Sequence, residues 1–302
     1  MELNYNYNSF GLPESELQKV REELYHSSGK GYVVFKNFIP KEHVAHVQNF
    51  WGKIVKPNEK GRLPLVDERI KLPNGQSECK YIYRNCPNYY RLFSGGKNGV
   101  AYYNYFWNAP HDKLTHIVTH QVQVLRNIIT FNPIYEELFP LENNRTTSCS
   151  IIMTKYAEEY SPPHTDWDKE PYSDPKRLQA TLFLSKKGVD YEGTGFWFTN
   201  NQGQKIEFDS EQVKIEPGDL VFWRYINEHG IKDVKSKENG LGYMRIIFPP
   251  VYVFESSPPK NYRYVFDLSS IKIKSKRKFL NSFLVQNIML PVYSPLKKMM
   301  NK

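Results

Sequence analysis

The chain has only 3 cysteines in 302 residues, Cys79, Cys86 and Cys149. They are odd in number and lack close metal-type pairing, which argues against a disulfide scaffold and for reduced thiols in a cytoplasmic setting. Long apolar runs are lacking as well, so no segment approaches a bilayer span. The opening Met1-Glu2-Leu3-Asn4-Tyr5 has no basic stretch leading into an apolar one, so no signal peptide is expected. For the same reason the sequon Asn144-Arg145-Thr146 is expected to go unused. No internal repeat is visible. Negative charge is the minority, with Asp+Glu 32 against Lys+Arg 41, a net +9. That excess favours anionic partners such as phosphorylated or carboxylated substrates, acidic carrier proteins, membrane headgroups or nucleic acid, and does not choose among them. Much of it lies near the C-terminus, in Lys272, Lys274, Lys276, Arg277, Lys278, Lys297, Lys298 and Lys302, where a solvated tail competes with peripheral membrane contact.

A hydrophobic fraction of 40% and an aromatic fraction of 15% are those of a folded protein, and they exclude global disorder. Residues 14–27 carry Leu17, Val20 and Leu24 at helical spacing, and after Pro40 residues 41–54 do the same with Val44, Val47 and Trp51. Residues 114–129 give a third helix, and Gly31-Tyr32-Val33-Val34-Phe35 reads as a short strand. Residues 56–110, rich in Pro, Gly, Asn and Tyr, read as an irregular lid or substrate loop. From residue 148 the pattern turns to short strands separated by turn signals, at 148–156, 179–184, 195–198, 213–215, 220–225 and 243–248. The expected architecture is mainly β with flanking helices around a double-stranded β-helix, a jelly roll of the cupin type. The expected division is a helical part at 1–147, the jelly-roll core at 148–250 and a basic extension at 251–302.

His164-Thr165-Asp166 carries the chemistry. In a strand, residues two apart share a face, so His164 and Asp166 can reach one ion. His229, placed in a loop just after the strand at 220–225, is the candidate third ligand. Two imidazoles and one carboxylate suit Fe(II) with an open coordination face, whereas Zn(II) prefers a closed tetrahedron. Alone, His-x-Asp is a common chance pattern, and a surface loop that binds nothing is the plain alternative. Arg245, past the second histidine, is placed to hold a carboxylate.

The ordered neighbours make a resemblance visible. Tyr156 stands ahead of His164-Thr165-Asp166; Arg177-Leu178-Gln179-Ala180-Thr181-Leu182-Phe183-Leu184-Ser185, Glu192-Gly193-Thr194-Gly195-Phe196-Trp197-Phe198 and Pro217-Gly218-Asp219-Leu220-Val221-Phe222-Trp223 follow. His229-Gly230-Ile231-Lys232-Asp233-Val234 and Gly242-Tyr243-Met244-Arg245-Ile246-Ile247-Phe248 close the series. Residues 151–248 thereby resemble the iron(II)/2-oxoglutarate-dependent dioxygenase superfamily, in pattern its prolyl-hydroxylase-like branch. Gly31-Tyr32-Val33-Val34-Phe35 before a Pro-initiated helix is similar to the opening of the phytanoyl-CoA-dioxygenase-like branch. The resemblance implies Fe(2+) held by His164, Asp166 and His229, with 2-oxoglutarate and dioxygen as co-substrates. Arg245 would pair with the 5-carboxylate of 2-oxoglutarate, since a guanidinium fork suits a carboxylate. Tyr156 would donate its hydroxyl to the same group, although a core tyrosine is the competing reading. The stretch from His229 to Arg245 is longer than in the family pattern, with Lys235-Ser236-Lys237-Glu238-Asn239-Gly240 read as a polar insertion, which keeps Arg224 as the alternative arginine and Arg177 as a weaker one. The implied reaction hydroxylates an unactivated carbon of a small or carrier-bound molecule, releasing succinate and CO2. Family members that transfer halide lack the metal-binding carboxylate, so Asp166 favours hydroxylation or desaturation.

Other readings stay open. Asp168 could replace Asp166, and His116 and His120, one helical turn apart near His111, could share a metal, although a polar helix face is the plainer reading. A peptidyl hydroxylase and a non-enzymatic cupin-like binding protein are the competing functions. No nucleic-acid partner is expected.

Overall fold

A computed structural model of the chain describes residues 2–4, 12–55, 81–83, 88–93, 98–105, 110–133, 146–160, 163–165 and 176–254. The helices form where apolar side chains recur at three and four. In α1 (Glu14–Tyr25) these are Leu17, Val20 and Leu24, with Glu14 and Glu16 in the first turn, where carboxylates suit the exposed N–H groups. In α2 (Lys41–Val55) they are Val44, Val47, Trp51 and Ile54. Asp112 caps α3 (Lys113–Thr130) by accepting from the Thr115 N–H, and Phe131 closes it in the left-handed region at φ 59°. Trp51 Nε1 donates to Thr115 Oγ1 at 2.7 Å, joining α2 to α3.

The strands are β1 (Glu2–Asn4), β2 (Tyr32–Lys36), β3 (Tyr81–Tyr83), β4 (Tyr89–Phe93) and β5 (Gly99–Tyr105), then β6 (Thr146–Lys155), β7 (Ala157–Tyr160), β8 (Leu178–Phe183), β9 (Tyr191–Glu192) and β10 (Gly195–Thr199). They continue as β11 (Lys205–Glu207), β12 (Leu220–Arg224), β13 (His229–Ser236), β14 (Tyr243–Ile247) and β15 (Pro250–Phe254). The larger sheet runs β1-β2-β12-β8-β14-β6-β15-β3, with β4 and β5 added beside β6; the smaller runs β11-β10-β13-β7, with β9 on β13. From β6 to β14 the chain passes back and forth between the two sheets. This is the expected jelly roll, a mainly β core with helices on its flank.

The larger sheet is covered on both faces. Val33, Phe35, Ala180, Leu182, Leu220, Phe222, Met244 and Ile246 pack with the helices. Their strand neighbours Tyr32, Val34, Phe183, Val221, Trp223 and Tyr243 pack instead with Phe196, Phe198, Ile231 and Val234 of the smaller sheet. Alternate residues thus face opposite layers, as a pleated strand requires. The segment before residue 148 contributes to this core, since β2 pairs with β12 and β5 with β6.

Several expectations need correction. Wherever residues 56–110 are described within 81–83, 89–93 and 99–105, they are strands and not irregular loop. Residues 213–215 form no strand: the Val213 N–H donates to the Ser210 carbonyl in a turn, and Lys214 has φ 56°. His229 opens β13 and does not lie in a loop, and Lys235 and Ser236 belong to that strand, paired with β9, so the polar insertion begins only afterwards. The basic residues near the C-terminus, like Cys79 and Cys86, lie outside the described residues.

Gly193, in the turn between β9 and β10, has φ +110°, and a Cβ there would overlap the Asp233 carbonyl of β13. Gly193→Ala is expected to cost about 1–3 kcal/mol from backbone strain, before the overlap is counted. Denaturant unfolding checks this; a wild-type midpoint would show that the close approach is not needed.

Candidate metal centre

The centre is built on one isolated β-bridge. The His164 N–H donates to the His229 carbonyl at 3.2 Å and the His229 N–H to the His164 carbonyl at 3.0 Å. His164 lies outside the named strands, whereas His229 is paired with Phe198 of β10. The bridge sets the imidazoles side by side, with ring centroids 4.5 Å apart. His229 Nδ1 lies 3.1 Å from the Asn227 carbonyl. A carbonyl can only accept, so Nδ1 carries the proton and Nε2 the lone pair that suits a metal. His229 is 6% exposed and walled by Phe196 and Trp223, each ring 5.8 Å away; His164 is exposed. Asp166 and Asp168 lie outside the described residues, and among the described residues no group of three His, Cys, Asp or Glu side chains converges.

Arg245 sits on β14, opposite Met153 of β6 and Phe183 of β8. Its side chain, 7% exposed, enters the space between the sheets: the guanidinium carbon is 5.5 Å from the Phe196 centroid and 5.4 Å from that of Tyr243. Phe196 therefore touches both His229 and Arg245, which puts the two in one interior. Arg224 goes elsewhere. It follows Trp223 on β12 and so faces the other layer, where its guanidinium carbon lies 5.8 Å from the Tyr25 ring of α1. Arg177 lies just before β8, its carbonyl accepting from the Tyr225 N–H at 3.5 Å.

Tyr156 is not beside Arg245. It occupies the bend between β6 and β7, its hydroxyl donates to the Val55 carbonyl at 2.8 Å, and its ring packs on the helix-side cluster. Burial raises its pKa. The tyrosine next to Arg245 is Tyr243, two residues before it and hence on the same face of β14. Its oxygen accepts from the Phe196 N–H at 3.1 Å, and burial pushes its pKa up, with Asp209 adding and Arg245 opposing. The sequence carries this signal as Tyr243-Met244-Arg245, readable by the strand period of two.

Behind Tyr243 lies Tyr191, with ring centroids 4.8 Å apart, and then Asp209. Gly195, at φ +71°, leaves the space that Asp209 Oδ2 fills, because a Cβ there would overlap it. His116 and His120 are neighbours on α3 as their spacing predicts, with centroids 4.6 Å apart. Burial lowers both pKa values, that of His120 to about 4 with a further push from His116. No third donor joins them among the described residues.

No family model and no curated protein matches this sequence. Among solved structures it is similar to a prolyl-4-hydroxylase from Pseudomonas putida, at 13% identity over 77% of this chain and 96% of that one, with a TM-score of 0.42. It is also similar to an oxidoreductase of the 2OG-Fe(II) oxygenase family from Burkholderia pseudomallei, at 10% identity over 83% and 95% of the two chains and a TM-score of 0.43. The non-heme alpha ketoglutarate dependent carbocyclase SnoK from nogalamycin biosynthesis shows 12% identity over 84% and 90%, with a TM-score of 0.48. No helix among the described residues is long and apolar enough to cross a membrane.

Burial lifts the Asp209 carboxyl from 3.8 to about 6, against the pull of the Tyr191 hydroxyl and the Lys187 and Arg245 charges. Between those values the folded protein holds a proton that the unfolded chain has released. Stability from this group is therefore full below the unfolded value and is lost as pH rises through about 6. Asp209→Asn should flatten that dependence and stabilise the protein at neutral pH by on the order of 1–3 kcal/mol. Urea midpoints on both sides of the transition test it, and an unaltered pH slope would exclude Asp209 as the group responsible.

Proposed function

We propose that the protein is an iron(II)- and 2-oxoglutarate-dependent dioxygenase that hydroxylates a small or carrier-bound molecule. The observation that carries this reading is the pairing of His164 with His229 at the mouth of a jelly roll whose interior also buries Arg245.

The donor set fits a ferrous ion. His229 presents Nε2 because its Nδ1 is committed to the Asn227 carbonyl, and His164 stands beside it. Asp166, two residues after His164, would be the third ligand, completing the two-imidazole, one-carboxylate set that suits ferrous iron. When bound, the iron with 2-oxoglutarate and dioxygen supplies the oxidising power that hydroxylates an unactivated carbon and releases succinate and CO2. Arg245 pairs its guanidinium with the 5-carboxylate of 2-oxoglutarate, a charge-assisted contact strengthened by burial. Tyr243, not Tyr156, offers the neighbouring hydroxyl, since it lies beside Arg245 while the Tyr156 hydroxyl donates to the Val55 carbonyl. Phe196 and Trp223 exclude water from the His229 side. Substrate approaches from the exposed His164 side.

Anaerobic addition of Fe(II) and 2-oxoglutarate should produce a weak visible charge-transfer band in the wild-type protein. His164→Ala, Asp166→Ala or His229→Ala should abolish both band and succinate formation; full turnover in any of them refutes the ligand set. Arg245→Ala should raise the 2-oxoglutarate requirement by roughly 10- to 100-fold, the worth of one charge-assisted contact. Tyr243→Phe should raise it more modestly and Tyr156→Phe should leave it unchanged. The reverse order for the two tyrosines would return the role to Tyr156.

A further inference from the structure

A cleft of about 380 Å³ opens on the other side of β12 from Trp223. Tyr25, Ser27, Asn201, Arg224, Asn227 and Glu228 contribute to its lining. Its walls are fixed by hydrogen bonds. Asn201 Nδ2 donates to the Leu24 carbonyl at 3.2 Å and the His26 carbonyl at 3.0 Å, and Asn227 Nδ2 donates to the Thr199 carbonyl at 2.8 Å and Asn201 Oδ1 at 3.2 Å. Two groups are left over. Arg224 Nε is buried and has no hydrogen-bond partner among the described residues, nor does any carboxylate there pair with its guanidinium. Asn227 Oδ1, an acceptor, is likewise buried without a partner among them.

A half-buried guanidinium that no described carboxylate pairs with bears a desolvation penalty, seen in the lowering of the Arg224 pKa by burial with Tyr25 opposing it. Tyr25 offsets part of that penalty, and an anion would offset more. The cleft is also large enough for a small molecule, at the lower end of ordinary ligand sites. The orphan acceptor asks for a hydrogen-bond donor on the same ligand.

We propose that this cleft binds a small carboxylate or phosphate that also bears a hydroxyl or ammonium group, the anion on Arg224 and the donor on Asn227 Oδ1. The site is separate from the Arg245 pocket, because Arg224 and Trp223 project from opposite faces of β12. It is not remote from the metal centre, since the Asn227 carbonyl at its floor accepts the proton of His229 Nδ1. Such an anion is either the handle of the molecule that reacts or a separate effector. Glu228 stands exposed on the rim and disfavours a ligand of high negative charge.

The test uses metal-free full chain labelled at arginine Nε, titrated with inorganic phosphate, acetate and glycolate. The Arg224 Nε–H resonance should shift saturably, with glycolate binding more tightly than acetate because it adds a donor. Arg224→Met should weaken binding roughly tenfold or more, and Glu228→Gln should strengthen it. Arg224→Lys, which keeps the charge, guards against a folding defect and should retain partial binding. Arg245→Met should leave the titration unaltered, which separates this site from the co-substrate pocket; because no metal is present, failure here leaves the dioxygenase reading untouched. A bound anion consumed during turnover of the iron-loaded enzyme identifies a substrate handle, and one recovered unchanged an effector; either supports the site. Absence of a saturable shift, or a shift that persists in Arg224→Met, overturns it.

Discussion

Two reciprocal backbone hydrogen bonds between His164 and His229 govern the whole centre. β13 is held on both sides, by β10 and by β7 with β9, so His229 takes its place from the sheet. His164 stands outside any named strand, and the bridge ties its backbone to that fixed point. The two imidazoles are therefore brought together by main-chain pairing. Such preorganisation would lower the ordering that an ion bound by the pair had to impose. The asymmetry of the pair is equally informative. The buried imidazole is oriented by a backbone carbonyl and aromatic walls, and the exposed one faces the side open to solvent.

The same interior must hold a guanidinium. Arg245 is buried among Phe196, Tyr243, Phe183 and Met153, and its charge acts against the burial that pushes the Asp209 carboxyl up. A cation kept this dry gives a carboxylate ligand a strong field and little competing water. Gly195 makes the arrangement sterically possible, since any side chain there would collide with Asp209. Local backbone freedom, a buried acid and a buried cation are thus parts of one packing solution.

How much of this the sequence revealed depended on how each element is buried. α1 and α2 bury one face, so their apolar spacing of three and four was readable; α3 is buried more widely, yet the bounds of all three fall within two residues of expectation. The jelly roll was readable through turns and short apolar runs. By contrast β5, Gly99–Tyr105, is buried at every position, so it shows no alternation, and its Tyr- and Asn-rich composition imitates a loop. Likewise β13 mixes Lys232, Asp233 and Lys235 with Ile231 and Val234, which hid a strand behind charge. That His164 and His229 would be neighbours was legible in the ordered series of motifs around them. The tyrosine was not, because its direction depends on backbone detail: Tyr156 falls in a bend and turns to α2, whereas Tyr243 shares a pleat with Arg245.

One short segment finally links the chemistry to the outer cleft. Trp223 and Arg224 are adjacent, yet pleating sends the indole against His229 and the guanidinium toward Tyr25. The turn that follows ends in Asn227, whose side chain braces the cleft wall while its carbonyl fixes the His229 tautomer. Any force on that side chain is shared with the carbonyl of the same residue, and close packing leaves little slack to absorb it. His229 and Arg224 are therefore neighbours through Asn227 although they lie on opposite sides of β12, and Asn227 is the residue that both the cleft wall and the His229 ring depend on.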